Sequence, residues 1–311
     1  MNKLKKVGLT ALATTLVASS AFAGEMTASG SASLNYSGIS TASGNPYSMG
    51  NSVTLSGGGE LDNGMTVSVS FELDNGYSPF DDHSLSLGLG DGMGTLGFSG
   101  GSTSPGGVDS VKDIIPTAYT PVYENTDSTD NGLATLSGRS QASMWGYQNS
   151  VGDLAVSIGF NPTNSTAHTD GSETGIGLTY TPSQVEGLTI VAGNYDDERV
   201  ADANTYGIKY TMGATTVAVQ RTDINYDGAT ADQESTAYGI SFALNENFSI
   251  SAGALDVDIA GASADEENRG ISASYTMGSI TIAGNMNSVD NISGTSGSNA
   301  EVTGVNIAFA F

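Results

Sequence analysis

Residues 65–74 read Met65-Thr66-Val67-Ser68-Val69-Ser70-Phe71-Glu72-Leu73-Asp74. Successive side chains of an extended strand point to opposite sides, so Met65, Val67, Val69, Phe71 and Leu73 share one face and the polar residues between them share the other. The same alternation recurs at Leu85-Leu87-Leu89, at Leu154-Val156-Ile158-Phe160, at Tyr238-Ile240-Phe242-Leu244 and at Val305-Ile307-Phe309-Phe311. The apolar faces are uniformly bulky, whereas the polar faces carry Ser, Thr, Gly, Asn and carboxylates. A water-soluble sandwich or small barrel packs its bulky faces inward and fills its core with them. This pattern instead suits a sheet with an apolar outside and a wet inside.

Working outward from residues 65–74, sixteen segments carry the pattern: 25–37, 51–62, 64–75, 82–89, 93–100, 139–150, 153–161, 173–182, 187–195, 203–212, 214–222, 236–245, 247–255, 267–277, 279–287 and 301–311. Tight turns at Asn63-Gly64, Gly213, Glu246 and Gly278 alternate with longer polar loops. An even strand count with short turns at one rim and long loops at the other predicts an all-β fold, a transmembrane antiparallel β-barrel. Closure leaves no sheet edge whose backbone groups lipid would strand without partners. An internal repeat supports the count: Gly175-Ile176, Gly207-Ile208, Gly239-Ile240, Gly270-Ile271 and Gly304-Val305 open similar strands at nearly constant spacing. Solenoids and propellers repeat on this scale too, but they do not explain an apolar alternate face beside acidic loops. Beyond Gly24, no run approaches the ~18 apolar residues of a membrane-spanning helix.

Composition narrows the function. The 311 residues include 33 Asp and Glu against 9 Lys and Arg, a formal charge of −24, with 42 glycines and no cysteine. Such a surface cannot neutralise phosphates, which excludes nucleic acid as a partner. The absence of cysteine removes disulfides, zinc-thiolate sites and thiol nucleophiles. Glycine this abundant disfavours a helical protein, each interior Gly costing a helix about 1 kcal/mol relative to Ala. Residues 1–23 carry Lys3, Lys5 and Lys6 before a short apolar run ending in Ala21-Phe22-Ala23, the form of a secretory signal peptide. Export and cleavage would leave residues 24–311 as one barrel domain, with six basic residues against 33 acidic ones.

With these features in place, the chain resembles the general-diffusion porins of Gram-negative outer membranes, particularly the alphaproteobacterial type. The sharpest element of the likeness is the end, Val305-Asn306-Ile307-Ala308-Phe309-Ala310-Phe311. It is similar to the family's terminal strand, and the resemblance implies that Phe309 and Phe311 form the assembly signal read by the outer-membrane insertase. It further implies a homotrimer set in outer-membrane lipid and lipopolysaccharide. The expected function is a water-filled channel for passive diffusion of small hydrophilic solutes and ions, not an enzyme, with no cofactor required.

Residues 101–138 are the second family-like feature. Ordered loops longer than about 12–15 residues are usually functional. The resemblance implies that this third loop folds into the barrel and narrows it, with Asp109, Lys112, Asp113, Glu124, Asp127 and Asp130 at the pore constriction. Ile114-Ile115-Pro116, Tyr119 and Tyr123 offer contacts with an inner wall; a solvated external loop, latching a neighbouring subunit, is the alternative. In the family the loop's acids face a cluster of arginines. Here parity places only Lys209 on the lumen face, while Arg139, Arg221 and Arg269 share parity with outward residues, to meet lipid phosphate or to turn inward through a bulge. That departure argues against a strong transverse field. Glu60, Glu72 and Asp74 have the polar parity and are expected on the lumen wall or at its periplasmic mouth, or as solvated rim charges.

Residues 223–234 match the twelve-residue calcium-loop pattern, with Asp223, Asn225, Asp227, the Ala229 carbonyl and Glu234 as ligands and Gly228 at the turn. Residues 256–267 repeat the spacing, but Ala260 removes a ligand. Both loops join strands instead of helices, so possible Ca²⁺ in an external loop stands against a duplicated, merely solvated acidic hairpin. His83 and His168, the two histidines, sit in no catalytic motif. The runner-up function is an acidic, calcium-binding structural or adhesin barrel without open-channel transport. Cation preference is expected of the pore because carboxylate rings select cations.

Overall fold

The computed structural model describes residues 26–74, 82–101, 105–121, 144–162, 171–198 and 201–311. Residues 1–25, and with them the expected signal peptide, lie outside the described set. Sixteen strands follow in order: β1 (Thr27–Ile39), β2 (Tyr47–Glu60), β3 (Thr66–Asp74), β4 (His83–Gly88), β5 (Thr95–Ser99), β6 (Met144–Val151), β7 (Leu154–Asn161), β8 (Glu173–Tyr180), β9 (Leu188–Asp197), β10 (Ala201–Met212), β11 (Thr215–Tyr226), β12 (Gln233–Ala243), β13 (Phe248–Ile259), β14 (Glu266–Met277), β15 (Ile280–Asp290) and β16 (Ala300–Ala310). Each pairs antiparallel with its sequence neighbours, and β16 returns to β1 with Leu34 opposite Ile307, closing the barrel. The closure is completed by Phe311, whose N–H donates to the Gly30 carbonyl at 2.9 Å and whose carbonyl accepts from the Gly30 N–H at 2.8 Å.

Parity behaves as alternation demands. Leu34, Met49, Phe71, Leu85, Ile158, Ile208, Ile240, Ile271 and Val305 all stand exposed on the outer wall. Aromatics collect toward its two rims, the flanking arrangement of a membrane barrel: Tyr180, Tyr210, Phe242, Tyr275 and Phe309 near the short turns, and the Tyr36–Tyr47 and Phe98–Trp145 pairs toward the long loops, with ring centroids 5.4 and 4.8 Å apart. No helix among the described residues is long and apolar enough to cross a membrane, which leaves the strands to do it.

Two sequence expectations need correction. β11, β12 and β13 run further than expected, converting residues 223–226, 233–235 and 256–259 from loop into ladder. Their acidic side chains hid strand character, because propensity counts charge against a strand even where that face meets water. The interior is also not uniformly wet. Ile224, Leu255 and Val257 lie on the inner face and are fully buried with Tyr195, Ala201, Ala203 and Ala237. What they pack against is the third loop.

Candidate pore constriction

The described part of that loop, residues 105–121, runs inside the barrel. Its seat is made of glycines whose inner faces carry no side chain. Gly97, Gly146, Gly159 and Gly175 stand directly opposite one another across β5, β6, β7 and β8. A Cβ on Gly97 would lie 3.0 Å from the Pro105 side chain, and one on Gly175 would lie 3.0 Å from the Val108 backbone nitrogen. Further round, a Cβ on Gly193 would fall 2.8 Å from both Val108 and Val111, and one on Gly207 2.5 Å from Ile114. Gly239 leaves the corresponding space for Ile115. At Gly175-Ile176, Gly207-Ile208 and Gly239-Ile240 the repeat is therefore a composite device, with glycine facing the loop and isoleucine facing outward, whereas the bare face of Gly304 meets Asn285.

Apolar and polar contacts then hold the loop. Val108, Val111, Ile114 and Ile115 are buried in the cluster with Val191, Tyr195, Ile224, Leu255 and Val257. Ser157 Oγ accepts from the Gly107 N–H at 2.9 Å, Ser251 Oγ from the Ala118 N–H at 2.9 Å and Ser272 Oγ from the Tyr119 N–H at 3.1 Å. Gln220 bonds the backbone at both Val111 and Ile114. None of these wall residues stands out in the sequence; the only signal is their inward parity, set for Gln220 by outward Val219 and Arg221.

Among the residues expected at the constriction, Asp109 and Lys112 form an ion pair at 3.5 Å within one turn, and Asp113 follows between the anchors Val111 and Ile114. Asp113 reaches lumen water but is crowded by protein on its wall side. This partial desolvation pushes its titration above the ordinary carboxylate range; Lys112 opposes the rise and Asp109 adds to it. Glu124, Asp127 and Asp130, with Tyr123 and Arg139, lie outside the described residues.

The wall away from the loop is rich in hydroxyls. Ser31 and Ser52 hydrogen-bond at 3.0 Å across β1 and β2, and Ser68 bonds Ser86 across β3 and β4. A polar hollow of 300 Å³ runs along Ser56, Ser68, Ser70 and Ser84. Under the loop, a second hollow of 530 Å³ is lined by Ser110, Gln148, Asn149, Ser157 and Thr179. Glu60 pairs with Thr66 at the short-turn rim, whereas Glu72 opposite Thr54 and Asp74 opposite Ser52 stand toward the long-loop rim. All three have lumen parity, Glu60 near the mouth at the short turns and Glu72 and Asp74 on the wall further up, because β3 climbs away from its turn. Lys209 has the inner parity of Gly207, two residues along β10. Acids that the sequence reading passed over also face inward: Glu173 stands opposite Asp197, and buried Glu266 accepts from Asn268 Nδ2 and the Ser293 N–H, both at 2.9 Å.

Arg221 and Arg269 face outward, beyond the apolar band. Arg221 meets Asp223 at 3.0 Å and Glu234 at 2.7 Å; Arg269 meets Glu267 at 2.6 Å and Asp256 at 3.7 Å. Asp223 and Glu234 are direct cross-strand partners, so the expected calcium loop is a hairpin instead of a coil wrapped round a centre. Asn225 continues β11, Asp227 and Ala229 sit in the turn beyond, and the guanidinium of Arg221 stands where the first and last carboxylates converge. Among the described residues, no group of three or more His, Cys, Asp or Glu side chains is arranged to hold a metal.

A closed sixteen-strand barrel, apolar outside and polar inside with a loop across its lumen, defines a membrane channel. The chain belongs to the Gram-negative porin family, whose sequence model matches residues 8–311, and it is accordingly an outer-membrane channel protein. No curated protein sequence matches it. Solved structures share the fold at low identity. A refined porin structure is 17% identical, covers 92% of this chain and 100% of its own, with a TM-score of 0.69. The anion-selective porin from Comamonas acidovorans is 15% identical over 92% and 99%, with a TM-score of 0.69. The outer membrane protein OmpT of Vibrio cholerae, in a trimer form, is 12% identical over 93% and 100%, with a TM-score of 0.69.

Proposed function

We propose that this porin passes small hydrophilic solutes and ions by passive diffusion, prefers cations, and works as a homotrimer after removal of residues 1–23. The observation that carries the reading is the lumen's charge distribution. On the described β1–β4 wall, the fixed charges facing inward are carboxylates, Glu60, Glu72 and Asp74, among serines. On the loop, Lys112 is already paired with Asp109, and among the described residues no cation lies within bonding distance of Asp113. Carboxylates exposed along a water-filled path raise local cation concentration and oppose anions. The fold does not set the sign, since a porin of the same architecture is anion-selective; the lining must. The trimer reading is supported by the trimer form of a structural neighbour, and Ca²⁺ in the 223–234 hairpin is the weaker proposal, opposed by the placement of Arg221.

Planar-bilayer recording in asymmetric salt tests the main claim. Stepwise conductance with a cation-selective reversal potential in dilute salt is expected, weakening toward 1 M as the screening length shrinks to ~3 Å. An anion-selective potential overturns the preference, and absence of steps from correctly folded protein overturns the channel reading. Intact-mass measurement of membrane-extracted protein checks for a mature chain beginning at Gly24.

A further inference from the structure

Residues 105–121 lean on their seat through apolar contacts and single serine hydrogen bonds, but at one point one side chain grips the backbone twice. Gln220 on β11 is 2% exposed. Its Nε2 donates to the Val111 carbonyl at 2.9 Å and to the Thr205 hydroxyl at 2.7 Å, while its Oε1 accepts from the Ile114 N–H at 3.1 Å. The loop's own backbone fixes the amide orientation: a carbonyl needs the NH₂ and an N–H needs the oxygen, so the flipped amide would oppose like groups. Thr205 is itself held by the Thr222 hydroxyl at 2.9 Å, which immobilises the far side of the clamp. The neighbours of Gln220 across the ladder are Gly207 and Ala237. Both are small, and the slot they leave admits a long polar side chain on one side and Ile114 on the other.

The spacing of the two gripped groups gives the clamp its meaning. Between Val111 and Ile114 stand only Lys112 and Asp113, the adjacent charged pair of the described loop. Fixing the carbonyl before them and the N–H after them fixes where both charges project into the lumen. We propose that Gln220 is a positioning residue for ion selectivity, acting through the placement of Lys112 and Asp113. This rests on the reading of the third loop as the constriction. Gln220 touches no permeating solute and contributes no charge; its effect is geometric.

Gln220→Met tests it, because methionine keeps the length and most of the volume while removing both the donor and the acceptor. Gln220→Asn keeps the amide but shortens its reach. Both variants, with Asp109→Asn/Asp113→Asn, are compared with the wild-type protein by heat-modifiable migration and by reversal potential in asymmetric KCl. The expected result is a folded Gln220→Met barrel whose cation-to-anion permeability ratio moves at least twofold toward unity, with added subconductance levels, and a smaller shift for Gln220→Asn. A folded Gln220→Met barrel with the wild-type ratio overturns the proposal; if it fails to fold, the Gln220→Asn ratio decides in the same way. The acid variant separates the two readings. If it leaves the ratio unchanged, the loop's charges are outside the ion path and the constriction reading itself fails. If it shifts the ratio while both Gln220 variants do not, only the positioning role falls.

Discussion

The glycine seat makes a graded prediction about how tightly the third loop is held. A methyl group at Gly193 would lie 2.8 Å from Val108 Cγ2, 2.8 Å from Val111 Cγ2 and 3.0 Å from Thr205 Cγ2. All three neighbours are β-branched and stiff at χ1, and the wall cannot retreat because β9 is laddered on both sides. The loop must therefore lift, and overpacking of this kind costs roughly 1–3 kcal/mol. If that cost falls wholly on docking, the undocked population rises roughly 5- to 150-fold. Gly207→Ala differs in kind. Its added methyl meets Ile114 Cδ1 at 2.5 Å, but the next contacts are at 3.2 Å, and the tip of an isoleucine escapes by a χ change costing roughly 0.5–1.5 kcal/mol. A rise of roughly two- to tenfold is expected, and Ile114→Val should cancel much of it by removing the clashing carbon. Gly57→Ala serves as the control, since its methyl would meet nothing within 4 Å. Hydrogen exchange of the 105–121 segment reads the opening equilibrium, and single-channel records read the accompanying conductance excursions. Equal exchange in Gly193→Ala, Gly57→Ala and the wild-type protein would refute the claim that absent side chains seat the loop.

Three further outcomes follow from particular groups. The raised titration of Asp113 means that it protonates while ordinary exposed aspartates are still charged, so cation preference should begin to fall as pH drops through that raised range, and Asp113→Asn should remove this first step. The linked stability has the opposite sense: the folded state holds its proton more tightly than the unfolded chain, so docking strengthens as pH falls from above the raised value toward 3.8 and gains nothing further below it; hydrogen exchange of the loop against pH measures it. Calorimetric titration with calcium tests the weaker proposal: the 223–234 hairpin should give a small wild-type heat that Asp223→Asn/Asp227→Asn/Glu234→Gln loses, since the single positive charge of Arg221 offsets only part of the charge of Asp223 and Glu234; equal heats from both proteins would retire the loop as a metal site. Phe311→Ser should slow insertion into outer membranes without abolishing refolding in detergent, since the backbone pair with Gly30 survives the substitution; unchanged accumulation of inserted protein would remove Phe311 from the assembly signal.

Period-2 alternation is a property of covalent geometry, and so residues such as Met65 to Asp74, or Val305 to Phe311, announce their strands and their outward faces without any partner. Even strand number, alternating turn and loop lengths, and the need to leave no unpaired edge in lipid carried this to a closed barrel. The length and apolar content of residues 101–138 marked a loop with a task. Other features depended on contacts that no local pattern encodes. Gln220 meets Ile114 across a separation of 106 residues and Val111 across 109, and only barrel closure with an inward loop brings them together. The repeated glycines were visible as a repeat, but their purpose appears only when the loop is laid against their bare inner faces. In residues 223–234 the spacing was that of a calcium loop; the ladder instead placed Asp223 opposite Glu234 and brought Arg221 to both, because cross-strand register, not sequence spacing, decides which charges meet.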